Sequence, residues 1–202
     1  MLKKSTVKKR FAEREETIVK TAMDLFAAHG VEAVSIDMIA DRAGIGKGTV
    51  YKHFSSKNDI YATLAIRHSD QMMVCLNRIP QDAPVLVQLK RTMREIWDFH
   101  ISDIPRLAVF HKCQQLLARE ALSPDLLILF EHQRHRRNQF IRGMIRKAID
   151  EEIFVDTAMG DLTAVAVGLF SGVFELILQG EVEPSEALYQ MVERTIFKGF
   201  IR

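Results

Sequence analysis

The spacing of apolar residues is the feature that most restricts the fold of this chain. Apolar side chains recur at intervals of three and four along nearly its whole length, whereas the two-residue alternation of strands is almost missing. The pattern predicts an all-α fold. Gly30 is expected to end the first helix. Later helices are expected at residues 36–43, 47–54, 57–79, 83–102, 105–121, 124–152, 157–180 and 185–200.

Charge is distributed unevenly between the two ends of the chain. Residues 1–58 hold eleven of the 28 Lys and Arg and seven of the 26 Asp and Glu, so they carry +4 while the remainder carries −2. Five bases and no acid lie in the first ten residues. Such a basic arm is typical of a phosphate-binding segment, and equally of a solvated terminus. Charge alone leaves both interpretations open.

Composition excludes several classes of protein. A hydrophobic content of 48% argues against a disordered chain, and 27% charged residues argue against a membrane protein. No uninterrupted apolar run approaches the roughly 18 residues of a membrane span. The basic N-terminus lacks the apolar stretch of a secretory signal. Cys75 and Cys113 cannot build a disulfide scaffold, so we expect a reduced, cytoplasmic protein without a membrane partner.

Two short helices separated by a glycine turn stand out in residues 35–54, SIDMIADRAGIGKGTVYKHF. Ser35 is suited to cap the first helix, and residues 44–46 form the turn. A helix-turn-helix of this kind places its second helix in the major groove of DNA. Val50 and Phe54 are expected to face the small core. The polar residues left at or near the DNA-facing surface are Lys47, Thr49, Tyr51, Lys52 and His53.

Residues 11–61 resemble the DNA-binding domain of the TetR (tetracycline-repressor-like) transcriptional regulators. The resemblance rests on HG at 29–30, IADRAGIGKGTVYKHF at 39–54 and KNDIY at 57–61. It implies a set of DNA contacts, to which the chemistry of the recognition helix adds two positions. The full set is Ser35, Lys47, Gly48, Thr49, Tyr51, Lys52, His53 and Lys57.

The side-chain chemistry assigns a role to each of these positions. Lys47 and Thr49 are candidates for base edges, while Tyr51 and His53 donate to phosphate and Lys57 adds charge at a helix N-terminus. Gly48 permits close approach to the DNA backbone, and Lys52 suits either phosphate or base. Tyr51 as a core aromatic and Ser35 as a helix cap alone are the structural alternatives.

The resemblance also implies two domains. Residues 1–56 form a helix-turn-helix DNA-binding domain with a basic N-terminal arm, and residues 57–202 form a larger helical ligand-binding and dimerisation domain. Helix 57–79 links the two.

The predicted helix 124–152 has two polar residues, Gln133 and Arg137, in its apolar stripe. A buried charge needs a partner, so one interpretation is an internal ion pair between Arg137 and Glu95 or Glu175. The other is that Arg137 and Gln133 form the polar anchor of an apolar pocket for a small-molecule effector, for which a carboxylate is one option. Its candidate walls are Trp97, His100, Phe110, Phe130, Phe140, Met144, Phe170 and Phe174.

Helix 157–180 is apolar nearly all round and must be covered on several sides. The resemblance implies that it pairs with helix 185–200 and with the same two helices of a second subunit, and a monomeric core is the alternative. The candidate interface residues are Gly168, Gly172, Ile177, Leu188, Met191, Val192, Thr195 and Ile196.

Other motifs do not support catalysis or metal binding. GIGKGT at 44–49 lacks the order and the preceding strand of a phosphate loop. His132 and His135 point away from the apolar stripe of their helix and are expected to be solvated, so we expect no metal site. Because the sequence shows no motif for nucleophilic or acid–base catalysis, we also expect no cofactor and no enzyme activity. The leading hypothesis is a homodimeric repressor of a palindromic operator in double-stranded DNA, released by a hydrophobic or amphipathic effector. An effector-independent DNA-binding accessory protein, or an enzyme using the C-terminal cavity, are the alternatives.

Overall fold

The computed structural model describes residues 2–118, 122–155 and 159–201. These residues form nine α-helices and one isolated antiparallel bridge between Phe154 and Ile201, so the predicted all-α fold is confirmed. The helices are α1 (Leu2–His29), α2 (Ile36–Ala43), α3 (Lys47–His53), α4 (Lys57–Leu76), α5 (Val85–Ile101), α6 (Ile104–Leu117), α7 (Pro124–Asp150), α8 (Met159–Leu178) and α9 (Glu186–Phe200).

The basic N-terminal segment is part of the first helix and does not form a separate arm. Helix α1 already begins at Leu2, so the basic residues of the N-terminus lie on its first turns. Gly30 ends it as expected, because its φ of +82° is a left-handed conformation that few other residues adopt. The Gly30 amide donates to the Phe26 carbonyl oxygen at 2.9 Å.

The linking helix is shorter than expected. Helix α4 ends at Leu76 and not at Ile79. The amides of Arg78 and Ile79 bond to carbonyl oxygens three residues earlier, at 3.1 and 3.2 Å, which tightens the chain into a turn. Pro80 explains this end, because a proline disfavours helical backbone in the residue before it.

The chain divides into two compact units. The first comprises Met1–His68 with Pro105–His132, and the second comprises Ser69–Ile104 with Gln133–Arg202. The division passes through α4 and α7, so each of these helices has residues in both units. The first unit thus contains most of α6 besides α1 to α3, and the division at residue 56 stays a prediction.

Each unit has its own apolar core. In the first, α1 packs against α2 and α2 against α3, and Val50 and Phe54 are buried as expected. In the second, α9 packs against α5 and α8. There the Trp97 ring is 1% exposed and lies 5.6 Å from the Phe174 ring and 5.7 Å from the Tyr189 ring, measured between centroids.

Helix α8 corrects one expectation about apolar segments. Within the described residues, Gly160–Leu178 is long and apolar enough to cross a membrane by length and composition. Counting an uninterrupted apolar run missed it, because Asp161 and Glu175 interrupt a segment that is apolar on average. Only 17% of this segment is buried in the chain. Its apolar surface is therefore largely uncovered in a single protomer.

Candidate nucleic-acid interface

The turn between α2 and α3 is fixed by local hydrogen bonds and one glycine. Ser35 Oγ accepts the Met38 amide at 3.2 Å and so caps α2. Gly44 ends α2 with a φ of +65°, and the Ile45 amide donates to the Ala40 carbonyl at 3.0 Å. These bonds form a helix-turn-helix in which α3 begins at Lys47. The capping role of Ser35 is present, and its DNA contact stays a prediction.

Helix α3 presents most of the predicted contact residues to solvent. Lys47, Gly48, Tyr51 and Lys52 are exposed, while Thr49 and His53 are half-buried. The 48% exposure of Tyr51 rules out the core-aromatic alternative. A Cβ atom added at Gly48 would meet no atom within 4 Å. Packing within the protein therefore does not require glycine there, which is compatible with a role in close approach to DNA.

Lys47 is engaged in an ion pair across the helix-turn-helix. Its Nζ lies 2.9 Å from Oδ1 and 3.0 Å from Oδ2 of Asp37, on the first turn of α2. The carboxylate raises the pKa of Lys47. Asp37 and Lys47 are ten residues apart in the sequence, and this contact was not predicted.

His53 is held by an aromatic residue of α1. Its ring stacks on Phe11 with 3.9 Å between centroids and 28° between planes. Burial lowers the pKa of His53 and so favours the neutral form of the ring. Phe11 was missed by sequence reasoning, although it is the one aromatic residue directly after the basic segment.

Lys57 faces its own unit in this structure. Its Nζ donates to the Glu32 carbonyl oxygen at 3.3 Å, and lies 5.9 and 5.5 Å from the ring centroids of Phe26 and Tyr61. Burial lowers its pKa. The arrangement differs from the expected outward-facing cation, because the aromatic rings and the carbonyl attract the ammonium group. A phosphate contact would require Lys57 to leave them and stays a prediction.

Polar contacts join the helix-turn-helix to α6 and to the start of α7 within the first unit. Lys112 Nζ pairs with Glu32 Oε2 at 2.9 Å. The buried Asp59 accepts the Ser55 amide at 3.0 Å through Oδ2 and the Ser123 amide at 3.4 Å through Oδ1. Asp59 therefore connects the segment after α3 with the segment before α7. Sequence reasoning could not find these contacts, because no short motif brings the residues together.

The predicted effector residues are divided between the two units. Phe110 and Phe130 belong to the first unit, where the Phe110 ring stacks on His68 at 3.9 Å. The others belong to the second unit. There Trp97, His100, Met144, Phe170 and Phe174 are buried, and Gln133, Arg137 and Phe140 are half-buried.

Among the described residues, no ion pair is seen between Arg137 and Glu95 or Glu175. Burial is the main cause of the lowered pKa of Arg137, and the charge of Arg134 acts in the same direction. Gln133 is not a free companion, because its Oε1 accepts Arg136 Nη1 at 3.4 Å.

His100 is a second polar group in this part of the second unit. Its Nδ1 bonds to the Ile96 carbonyl oxygen at 2.6 Å, and its ring lies 4.7 Å from that of Phe174. Burial lowers the pKa of His100, and the charge of Arg137 acts in the same direction.

The structure separates the predicted dimer-interface residues into two groups. Gly168, Gly172, Met191 and Thr195 are exposed, and Leu188 is half-buried. Ile177, Val192 and Ile196 are 7%, 4% and 5% exposed. These three lie in the apolar core of the chain and are not accessible on its surface.

Comparison with known proteins agrees with this geometry. Residues 18–64, from α1 to α4, match the sequence model of the family described as bacterial regulatory proteins, tetR family. Residues 18–64 are thus similar to a TetR-type helix-turn-helix domain. The resemblance seen in the sequence is therefore confirmed for these residues.

Two relatives match part of the chain. The HTH-type transcriptional activator FasR of Mycolicibacterium smegmatis is 39% identical over 61 residues, which is 30% of this chain and 28% of FasR. An HTH-type transcriptional regulator of Staphylococcus aureus is 34% identical over 76 residues, which is 38% of this chain and 41% of that protein. The chain thus spans less than half the length of these relatives.

Solved structures share the fold along nearly the whole chain. The fatty acid degradation regulator FadR of Bacillus halodurans has a TM-score of 0.74 at 16% identity, over 91% of this chain and 94% of FadR. The ketosteroid transcriptional regulator KstR2 of Mycobacterium tuberculosis has a TM-score of 0.66 at 18% identity, over 94% of this chain and 95% of KstR2. The fold of the C-terminal helices is therefore shared with these two structures.

Proposed function

We propose that this chain is a homodimeric, sequence-specific DNA-binding regulator, and that it represses transcription until a small hydrophobic or amphipathic effector releases it. The observation that carries the proposal is the TetR-type helix-turn-helix with an exposed, cationic α3. The remaining parts of the proposal concern the DNA contacts, the dimer and the effector.

The exposed residues of α3 suit a major-groove helix. Lys47 and Thr49 lie in its first turn, where a helix-turn-helix contacts base edges, and Gly48 between them leaves room for the DNA backbone. Tyr51 and Lys52 follow on the exposed side and suit phosphate contacts. On α1, Lys8, Lys9 and Arg10 are exposed and add positive charge for the same purpose.

The uncovered apolar surface of α8 and α9 supports a dimer. Val165, Leu176 and Met191 are 57%, 37% and 58% exposed, and the exposed Gly168 and Gly172 allow another helix to approach closely. Pairing of α8 and α9 with their copies gives two-fold symmetry. Two α3 helices then meet half-sites about 34–36 Å apart or at a related spacing, which predicts a palindromic operator.

The half-buried Arg137, for which the described residues provide no carboxylate partner, supports an anionic effector. A guanidinium group in an apolar environment is costly without a counter-ion, and a ligand carboxylate supplies one in a bidentate arrangement. The aromatic residues of the second unit, with Trp97 and Phe174 among them, suit an apolar ligand body. FadR and KstR2 are named for regulating fatty acid degradation and for ketosteroids, which agrees with a hydrophobic or amphipathic effector here.

Helix α7 offers a route from the effector to the DNA. It carries Arg137 in the second unit and starts at Pro124 in the first, directly after Ser123, whose amide bonds to Asp59. An effector that displaces α7 would therefore also displace the segment that follows α3. A ligand that prefers the wrong spacing of the two α3 helices lowers operator affinity by thermodynamic linkage.

The test compares decanoate with methyl decanoate, which has the same chain but no charge. Fluorescence anisotropy measures binding to a duplex that the wild-type protein has enriched from a randomised pool. Decanoate should weaken binding of the wild type, whereas the ester should not. Arg137→Met should remove the response, and Arg142→Met, which changes an exposed arginine of the same helix, should keep it. Equal responses to acid and ester would contradict a carboxylate effector.

The sign of regulation has one specific alternative. FasR, which is 39% identical over 61 residues, is described as an activator, so activation is the alternative outcome for this chain. A reporter gene downstream of the enriched duplex separates the two: a repressor lowers its expression, and an activator raises it.

A further inference from the structure

The ion pair between Asp37 and Lys47 lies across the helix-turn-helix and is not accounted for by the stability of the fold. It joins the first turn of α2 to the first residue of α3, with Nζ 2.9 and 3.0 Å from the two carboxylate oxygens. The side chains are 58% and 52% exposed. Exposed pairs add little to folding stability, so the stability of the domain does not account for it.

The position of the pair brings an acid to the DNA-facing side of the domain. In helix-turn-helix complexes the first helix crosses the phosphate backbone while the second enters the groove. Asp37 lies two residues after the predicted contact Ser35, and Lys47 opens α3. A carboxylate at this place repels phosphate unless a cation neutralises it.

We infer that Asp37 is a specificity-determining residue that positions Lys47, restraining it from phosphate contacts and directing it towards a base edge. On arbitrary DNA, a phosphate contact by Lys47 requires it to leave Asp37 and exposes that carboxylate to the phosphates. On the operator, a guanine edge offers Lys47 acceptors in the groove, and the ammonium group, which has three N–H donors, binds them while it keeps its pair with Asp37. This inference rests on the proposed function, since it requires that α3 reads a sequence.

The inference predicts that removing the acid strengthens non-specific binding more than specific binding. Exposed ion pairs are worth a few-fold in an equilibrium constant. We therefore expect Asp37→Asn to raise affinity for arbitrary DNA about threefold. The released lysine neutralises one more phosphate, so the salt dependence of that binding should steepen by about one unit. The ratio of specific to non-specific affinity falls as a result.

The experiment uses the wild type, Asp37→Asn and the control Asp41→Asn, which removes an exposed acid from the same helix. Anisotropy titrations at several salt concentrations measure binding to the enriched palindromic duplex and to a scrambled duplex of equal length and composition. Asp37→Asn should lower the specificity ratio, and Asp41→Asn should leave it unchanged. Equal ratios for the two variants would overturn the inference. A wild type that enriches no sequence refutes the proposed function, and this inference with it.

Two further variants test whether Asp37 acts through Lys47. In a Lys47→Ala background, Asp37→Asn should no longer alter the specificity ratio, because the pair is already broken. Asp37→Glu keeps a carboxylate within reach of Lys47 and should keep the wild-type ratio, which also controls for damage to α2. A change of ratio in the absence of Lys47 would assign the effect to Asp37 alone and would overturn the positioning role.

Discussion

Gly168 on α8 offers a selective test of the proposed dimer, because a side chain there should disturb the association of two chains and not the folding of one. A Cβ atom added at Gly168 would meet no atom within 4 Å in the protomer. Replacing a glycine inside a helix favours the helix by roughly 0.5–1 kcal/mol. Gly168→Arg should therefore fold as well as the wild type.

The cost in the dimer follows from the surface that the partner covers. The exposed fractions of Val165, Leu176 and Met191 are 57%, 37% and 58%, equivalent to about one and a half complete side chains, or roughly 2–5 kcal/mol per protomer on burial. An unpaired guanidinium in that surface is costly, and two-fold symmetry places two copies there. If lost apolar burial and the unpaired guanidinium groups together cost only about 3 kcal/mol, the dimer dissociation constant rises roughly a hundredfold.

Sedimentation velocity across a range of protein concentrations measures this change. Gly143→Arg is the matched control, since Gly143 is also exposed in a helix and free of contacts within 4 Å of an added Cβ. Gly168→Arg should sediment as a monomer at concentrations where the wild type and Gly143→Arg are dimers. A Gly168→Arg protein as dimeric as the wild type would refute the α8 interface.

Two other predictions concern single cationic groups. Lys57→Ala should lower the free energy of unfolding, because the Glu32 carbonyl and two rings lose their cation. Lys52→Ala should leave the free energy of unfolding unchanged and instead flatten the salt dependence of DNA binding by about one unit. Urea unfolding and salt titrations distinguish the two variants, and the reverse assignment would contradict the structure. The lowered pKa of His100 means that the folded state favours the neutral ring, so the free energy of unfolding should fall as pH drops below the ordinary histidine pKa of about 6.5. His100→Gln should reduce this loss in pH-dependent unfolding. An equally large effect of the exposed His135→Gln would argue against this role of His100.

Local patterns predicted the helix-turn-helix well, because its determinants are close in sequence. The cap at Ser35, the turn glycine Gly44 and the apolar Val50 and Phe54 each act within a few residues, so their spacing specifies α2 and α3. Helix ends were less predictable. The end of α4 depends on a turn before Pro80 that apolar periodicity does not register.

Side-chain partners from distant segments could not be predicted. The lysine at position 57 looks like a surface cation in the sequence, and only the fold brings Glu32 and the rings of Phe26 and Tyr61 to it. Periodicity likewise placed Ile177 on an apolar helix, but it did not show whether the same chain or a second subunit covers this side chain. A helix that is apolar nearly all round gives no single face to assign.

Enrichment of duplexes from a randomised pool tests the central claim most directly. The wild-type protein is bound to random duplex DNA, and the retained sequences are amplified and read over several rounds. A two-fold symmetric pair of α3 helices predicts an inverted repeat, with half-site centres about one helical turn apart or at a related spacing. Recovery of random sequences, or of a single asymmetric site with no repeat, would contradict a dimeric, sequence-specific regulator.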